Sequence, residues 1–246
     1  MIKLRLCDKP IELTDEVEKE LVSLYRSTEK DVWNKTYIKD ALFLMSNGKC
    51  AYSEQKLNER SSYLEVEHFR CKKHYPDSVV EWGNLLPSCK KCNTTKGELD
   101  VACQPIVNPL IDEPRDFLFV RGCRFYPKNE KGRITIDTVA LNDRQHFVNP
   151  RFQQASFIVE SLESELETLE NYNQCSSVRI RTIINRIKGL FAECGHKKEF
   201  SAVIATFVVY EWPKYKELKN LLISLGCWDD EFVSLEADML TVAMPE

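Results

Sequence analysis

The chain has 246 residues, 43% of them hydrophobic and 29% charged, with eight glycines, ten prolines and a net charge of −4. This composition excludes collagen-like and long disordered chains, and a chain of this length can bury roughly 70% of its unfolded surface without disulfides, as one large domain or two small ones. No apolar run approaches the ~18–20 residues that span a bilayer, and Met1 to Cys7 lacks the pattern of a signal peptide, so a cytoplasmic protein with no membrane association is expected.

Residues 1–49 read as an N-terminal helical segment. Thr14 caps a helix that carries Val17, Leu21 and Leu24 at helical spacing. A second helix runs from about Tyr37 to Met45 and stops at Asn47-Gly48. Residues 50–110 are short and interrupted. Leu64 and Val66 alternate with Glu65 and Glu67 as a strand, Tyr75-Pro76-Asp77 is a turn, and Leu85-Leu86 is a short apolar run. Cys89 to Lys96 then forms a short helix closed by Gly97, giving a ββα order. Within 111–151, Phe117–Val120, Cys123–Tyr126 and Arg133–Val139 predict a small antiparallel β extension. Residues 152–246 are helical. Ile180, Ile183, Ile184, Ile187, Leu190 and Phe191 form one apolar stripe; Phe200, Val203, Ile204, Phe207 and Val208 form a second; Leu218, Leu221, Leu222 and Leu225 form a third. The fold class is α+β.

Charge is segregated along the chain. His68 to Gly97 holds six basic residues against two acidic, whereas 160–171 has five glutamates with no Lys or Arg, and 229–246 has six acidic residues with no basic one. The acidic runs read as solvated helix faces or as docking surfaces for a basic partner. Ten cysteines, dispersed and without an export signal, read mostly as reduced thiols, and only Cys89 and Cys92 form a C-x-x-C pair.

The basic stretch coincides with the residues that carry chemistry. Phosphodiester hydrolysis needs a base for the attacking water, a divalent ion at the scissile phosphate and cations for the flanking phosphates. His68 can be the base, and Glu67 and Asn93 offer the few hard oxygen ligands that suit Mg²⁺ or Mn²⁺. Neighbours on a regular strand face opposite ways, so Glu67 and His68 converge only where the strand ends. Asn84 can fix the following loop and orient His68 through a hydrogen bond. Arg70, Lys72 and Lys96 are the expected substrate cations, Lys96 sharing a helix face with Asn93. His68 is expected at an open site. His74, His146 and His196 read as structural, as on balance do Arg144 and Arg151, two further cations that could touch nucleic acid.

Val66-Glu67-His68-Phe69, Gly83-Asn84-Leu85-Leu86 and Cys89-x-x-Cys92-Asn93-x-x-Lys96, in that order, resemble the HNH endonuclease motif. The resemblance covers about 50 residues and implies a ββα-metal nuclease core. It makes His68 the general base, Glu67 and Asn93 the metal ligands and Asn84 the brace of the loop, with products bearing 5′-phosphate and 3′-hydroxyl. Lys49 to Glu54, Glu67 to Arg70, Asn108 to Asp112 and Leu141 to Arg151 further resemble the HNH effector subunit of Septu-type anti-phage systems, including those attached to retrons. This implies antiviral defence by nucleic-acid cleavage, most readily of DNA, in a hetero-oligomer with an ATPase subunit. It also implies weak cutting by the isolated chain. Where that family often has a second C-x-x-C, this chain has Cys50-x-x-Ser53. Cys50, Cys89 and Cys92 fall one ligand short of a structural zinc site, unless Cys71, His74 or Cys103 supplies the fourth, so a unit held by packing alone is favoured over zinc. The alternatives are an RNA-cleaving effector, for instance one acting on tRNA, and a non-catalytic zinc-ribbon-like nucleic-acid-binding adaptor.

Overall fold

A computed structural model describes residues 1–57, 63–171 and 176–246; Cys175, counted above among the thiols, lies outside the described residues. The protein is α+β and divides into two compact units. The first comprises 1–118 and 126–143, the second 119–125 and 144–246.

In the first unit, α1 (Asp15–Thr28) and α2 (Thr36–Met45) precede the ββα element. The Thr14 hydroxyl accepts from the Val17 amide at 3.3 Å, as its capping role predicts. Asn47 and Gly48, both at positive φ, end α2. The chain then makes a knuckle in which Cys50 N donates to Gln55 O and Ala51 N to Pro87 O, each at 2.8 Å. Strand β1 (Glu65–His68) pairs antiparallel with β2 (Leu85–Ser88), setting Glu67 opposite Leu86 and His68 opposite Leu85. Helix α3 (Lys90–Lys96) follows at once and is ended by Gly97 at φ 53°. The core beneath this unit gathers Leu13, Ile38 and Leu42 from the N-terminal segment with Val66, Val79, Val80 and Leu85. Each such side chain contributes about 1.5–3 kcal/mol on burial, which ties the ββα element to α1 and α2.

Strands β3 (Leu118–Arg121) and β4 (Arg124–Pro127) match the predicted extension, but its third strand is a helix, α4 (Glu130–Thr138). Ile134 and Ile136 alternate with polar residues and imitate a strand. The helix prevails because the Asn129 side chain caps it, accepting from Gly132 N at 3.0 Å, and because Arg133 pairs with both Glu130 and Asp137.

The second unit is helical: α5 (Asn149–Glu170), α6 (Ser177–Ala192), α7 (Ser201–Thr206), α8 (Tyr215–Ser224) and α9 (Asp230–Val242). The stripes bury as expected, with Ile183, Ile184, Ile187 and Phe191 on α6 and Leu218 and Leu222 on α8. The Phe200–Val208 stripe is not one regular helix, because α7 passes into a wider π-turn at Phe207–Glu211. Arg151 is fully buried with its guanidinium within 6 Å of the Phe125, Phe147 and Phe200 ring centres, a structural role that removes it from any nucleic-acid contact. The acidic runs are largely paired within the unit. Asp229 and Glu231 hold Lys188, Glu236 holds Lys219, Asp238 holds His196, Glu246 holds Arg121 and Glu165 holds Arg186. Among the described residues no helix is long and apolar enough to cross a membrane.

Candidate active site

A cavity of about 940 Å³ in the first unit is lined by Glu67, His68, Lys72 and Asn93 together with Trp33 and residues of α1. Glu67 and His68 are consecutive on β1, yet both reach this cavity because the strand ends at His68. Asn93 comes from the second turn of α3 and is half-buried there.

His68 is not at an open site. It is 7% exposed, because Trp33 meets its ring edge-on with centroids 4.6 Å apart. Its Nε2 lies 2.8 Å from the Val79 carbonyl. A carbonyl only accepts, so Nε2 carries the proton. Burial, with the Lys72 and Lys96 charges adding to it, pulls the pKa down to about 4 against the Val79 hydrogen bond. The ring is therefore neutral, and Nδ1 bears a lone pair with no partner among the described residues. That is the state a general base requires.

Asn84 braces the loop but does not touch His68. Its Oδ1 accepts from Arg70 N at 2.7 Å, and its Nδ2 donates to Arg70 O at 3.1 Å and Ser78 O at 2.9 Å. Those bonds occupy the carboxamide, so His68 is oriented instead by Val79, the residue after the Ser78 carbonyl that Asn84 holds.

Glu67 is 2% exposed. Its Oε1 faces Lys96 Nζ at 2.6 Å and accepts from the Tyr52 hydroxyl at 3.4 Å. Oε2 has no partner among the described residues. Burial pushes the carboxyl up to about 7, against the opposing pull of Lys96 and Tyr52. Lys96 is thus not a substrate cation. Its side chain is buried, and Nζ bridges Glu67 to the His68 carbonyl, 2.8 Å away. Asn93, three positions earlier on the same helix, lines the cavity, while the Lys96 ammonium is drawn inward to the buried carboxylate as its counter-charge. Arg70 pairs with Glu81 at 2.5 Å, lies over Tyr75 and does not line the cavity. Lys72 does line it, with Nζ 3.9 Å over the Trp33 ring centre.

The residues present suit a divalent ion at this cavity. Glu67 Oε2 and the Asn93 carboxamide, neither with a side-chain partner among the described residues, are two hard oxygens, few enough to leave positions for water and phosphate.

A second cluster lies in the same unit. The sulfurs of Cys50, Cys89 and Cys92 are all buried and within 4.8 Å of one another. Tetrahedral thiolate coordination would bring sulfurs about 3.8 Å apart, so this cluster can bind a metal with little movement. The Ser53 hydroxyl stands 3.7 Å from Cys89 Sγ and the Ser88 hydroxyl 3.7 Å from Cys50 Sγ. Neither Cys71, His74 nor Cys103 joins the cluster: Cys71 Sγ donates to Glu98 O and Cys103 Sγ to Asp100. Burial opposes ionisation of Cys50, but hydrogen bonds from Cys89, Cys92 and Ser53 outweigh it and draw its pKa well below that of a free thiol.

The short-range spacing pointed to Glu67, His68, Asn84 and Asn93. It did not point to Trp33 or Val79, which meet His68 only through the fold. Tyr52 could have been suspected from its place inside the Cys50–Ser53 knuckle.

The fold and the site define an α+β protein whose ββα unit sets a neutral histidine, a carboxylate and a carboxamide on one cavity, and whose knuckle gathers three buried thiols. No family model matches the chain, and no solved structure matches it. It is 38% identical over 238 residues to Septu protein PtuB of Bacillus thuringiensis, covering 96% of this chain and 92% of that protein. It is also 31% identical over 141 residues to Septu protein PtuB of Bacillus mycoides strain KBAB4, covering 44% of this chain and 48% of that relative. The chain belongs to the Septu PtuB family.

Proposed function

We propose that the protein is the metal-dependent HNH endonuclease effector of a Septu-type anti-phage defence system. One observation carries the reading: a buried, neutral histidine with its Nδ1 lone pair unclaimed lines the same cavity as an unpartnered carboxylate oxygen and a carboxamide. His68 takes the proton of the attacking water at Nδ1, while the Nε2–H bond to Val79 fixes the tautomer. Glu67 and Asn93 would hold Mg²⁺ or Mn²⁺, which supplies charge stabilisation at the scissile phosphate. Lys96 keeps Glu67 in place and compensates its charge. Asn84 holds the loop that carries Val79, and Lys72 receives a flanking phosphate. DNA is the substrate we infer. Cys50, Cys89 and Cys92 would hold a structural zinc ion, for which soft thiolates are suitable ligands, with Ser53 or water as the remaining donor.

The cations around the cavity are already engaged: Arg26 with Asp77, Arg70 with Glu81, Lys73 with Glu98, and Lys72 near Asp31. This supports a reading in which an ATPase subunit of the same complex supplies much of the hold on nucleic acid. The test is incubation of the complex and of the isolated chain with phage DNA, plasmid and total RNA, with and without Mg²⁺. Metal-dependent cleavage of DNA, lost in His68→Ala, is expected. Cleavage confined to RNA would redirect the substrate assignment, and cleavage unaffected by His68→Ala would overturn the mechanism.

A further inference from the structure

Trp33 lies 35 positions before His68, in the turn between α1 and α2 and outside the ββα element. We propose that it is a positioning residue for the nuclease reaction, setting both the His68 imidazole and the Lys72 ammonium; this rests on the nuclease reading above.

Three contacts carry the inference. The Trp33 and His68 rings meet at 86° with centroids 4.6 Å apart, an edge-to-face geometry that fixes where the imidazole plane can lie. Lys72 Nζ sits 3.9 Å over the Trp33 ring centre, where the ring quadrupole attracts a cation. Tyr25 of α1 braces Trp33 from another side, edge-on at 5.8 Å. The Val79 carbonyl and the indole together leave His68 little freedom. The hydrogen bond fixes which nitrogen carries the proton, and the aromatic contact restrains rotation of the ring about that bond.

Trp33 does not act as a platform for a nucleobase. It is 7% exposed and Lys72 lies over its ring. Its effect reaches the substrate only through His68 and Lys72. Loss of the indole therefore displaces the base, which lowers kcat, whereas loss of Lys72 alone removes a phosphate contact and raises KM.

The test compares Trp33→Phe, Trp33→Leu and Lys72→Met in the full chain with two readouts. The first is cleavage of a DNA duplex with Mg²⁺. A misplacement of about 1 Å can cost on the order of 100-fold, so Trp33→Leu should lose roughly 10- to 100-fold in kcat, while Trp33→Phe, which keeps a ring, recovers most of it. Lys72→Met should act mainly on KM, with a smaller fall in kcat than Trp33→Leu. The second readout needs no activity: ¹⁵N spectra of the histidine rings, with His68 assigned among the four histidines by His68→Ala. Wild type and Trp33→Phe should show one tautomer, protonated at Nε2, and Trp33→Leu should show averaging between tautomers or ring orientations. A folded Trp33→Leu with wild-type kcat and a single tautomer overturns the proposal. So does a Trp33→Phe as impaired as Trp33→Leu, which would make the indole a packing element only. An active His68→Ala would instead overturn the nuclease reading, and the tautomer result would stand apart from it.

Discussion

The two units differ most in what they bury. Among the described residues the first buries eleven polar or charged side chains, including Lys49, Glu54, Glu67, His68, Asn84 and Lys96, and the second buries three: Arg151, Ser201 and Thr206. A buried charge is tolerated only when it is paired and hydrogen-bonded. The first unit meets that demand with internal pairs such as Glu67–Lys96 and Lys49–Glu54. The helical unit buries apolar stripes, such as Ala155, Ile158, Leu162, Leu166 and Leu169 of α5, and keeps its carboxylates toward solvent, paired with surface bases. Polar burial is costly in stability, and most of it falls in the unit that holds the candidate site. The same kind of substitution should therefore act very differently in the two units.

The largest expected effect is on His68. His68→Ala should lower cleavage by on the order of 10²- to 10⁴-fold, the usual range for a general base. Because the ring is buried against Trp33, a modest fall in melting temperature accompanies the loss, and circular dichroism should retain the wild-type shape. Cleavage within a few-fold of wild type, measured with Mg²⁺ at saturating DNA, would remove His68 from the chemistry.

Lys96 comes next. Lys96→Met leaves the Glu67 carboxylate buried without its counter-charge and should cost about 3 kcal/mol in chemical denaturation. Lys96→Met/Glu67→Gln should recover much of that stability, because the double variant holds no unpaired charge. Additive losses in the two single variants and the double would show that the pair is not coupled. In the helical unit, an exposed pair such as Lys198–Glu193 has no comparable dependence, since exposed pairs contribute little.

What could be read from the sequence follows the same division. Local spacing carried the site where its residues are sequence neighbours or repeat on one element: Glu67-His68, Asn84, Asn93, and the thiols of the C-x-x-C pair. The helical stripes were legible because a 3.6-residue period is itself local. Pairings across elements were not. Lys96 looked like a helix-surface cation, and only the fold brings Glu67 to it. Trp33 stands 35 positions before His68 with no local spacing to link them, and only the fold brings the two rings together. The Arg133–Val139 segment was misread because a short run with Ile134 and Ile136 two apart fits a strand template. The Asn129 cap and the Arg133 pairs that make it a helix outweigh that pattern.

Removal of the zinc proposed for the cysteine cluster should give a smaller and local effect. Cys89→Ala should lower zinc content and melting temperature, and extended dialysis against a strong chelator should mimic it. Added Mg²⁺ should restore neither, since a hard cation prefers oxygen ligands. Elemental analysis showing no zinc in the purified protein, with Cys89→Ala as stable as wild type, would leave the knuckle held by packing alone.

The smallest effects concern surface charge, and here the two units again separate. Deleting residues 229–246 would not isolate the acidic run, because it also strips Phe232, Met239 and Val242 of α9 from the core of the second unit. Charge-neutral substitutions are the better probe. Near the cavity, Glu81→Gln/Glu98→Gln releases Arg70 and Lys73 from their partners. Each cation that then pairs with a phosphate should steepen the dependence of log affinity on log salt by about 0.9, with a few-fold gain in DNA binding at low salt. In the helical unit, Asp229→Asn/Glu231→Gln frees only Lys188, 12% exposed on α6. That pair belongs to the second unit, which carries none of the candidate site residues, so the salt slope should not change. Salt titrations of both double variants decide the matter. An equal steepening in each would mean that nucleic acid is held by the net charge of the chain, and the cations around the cavity would lose their special claim to the substrate.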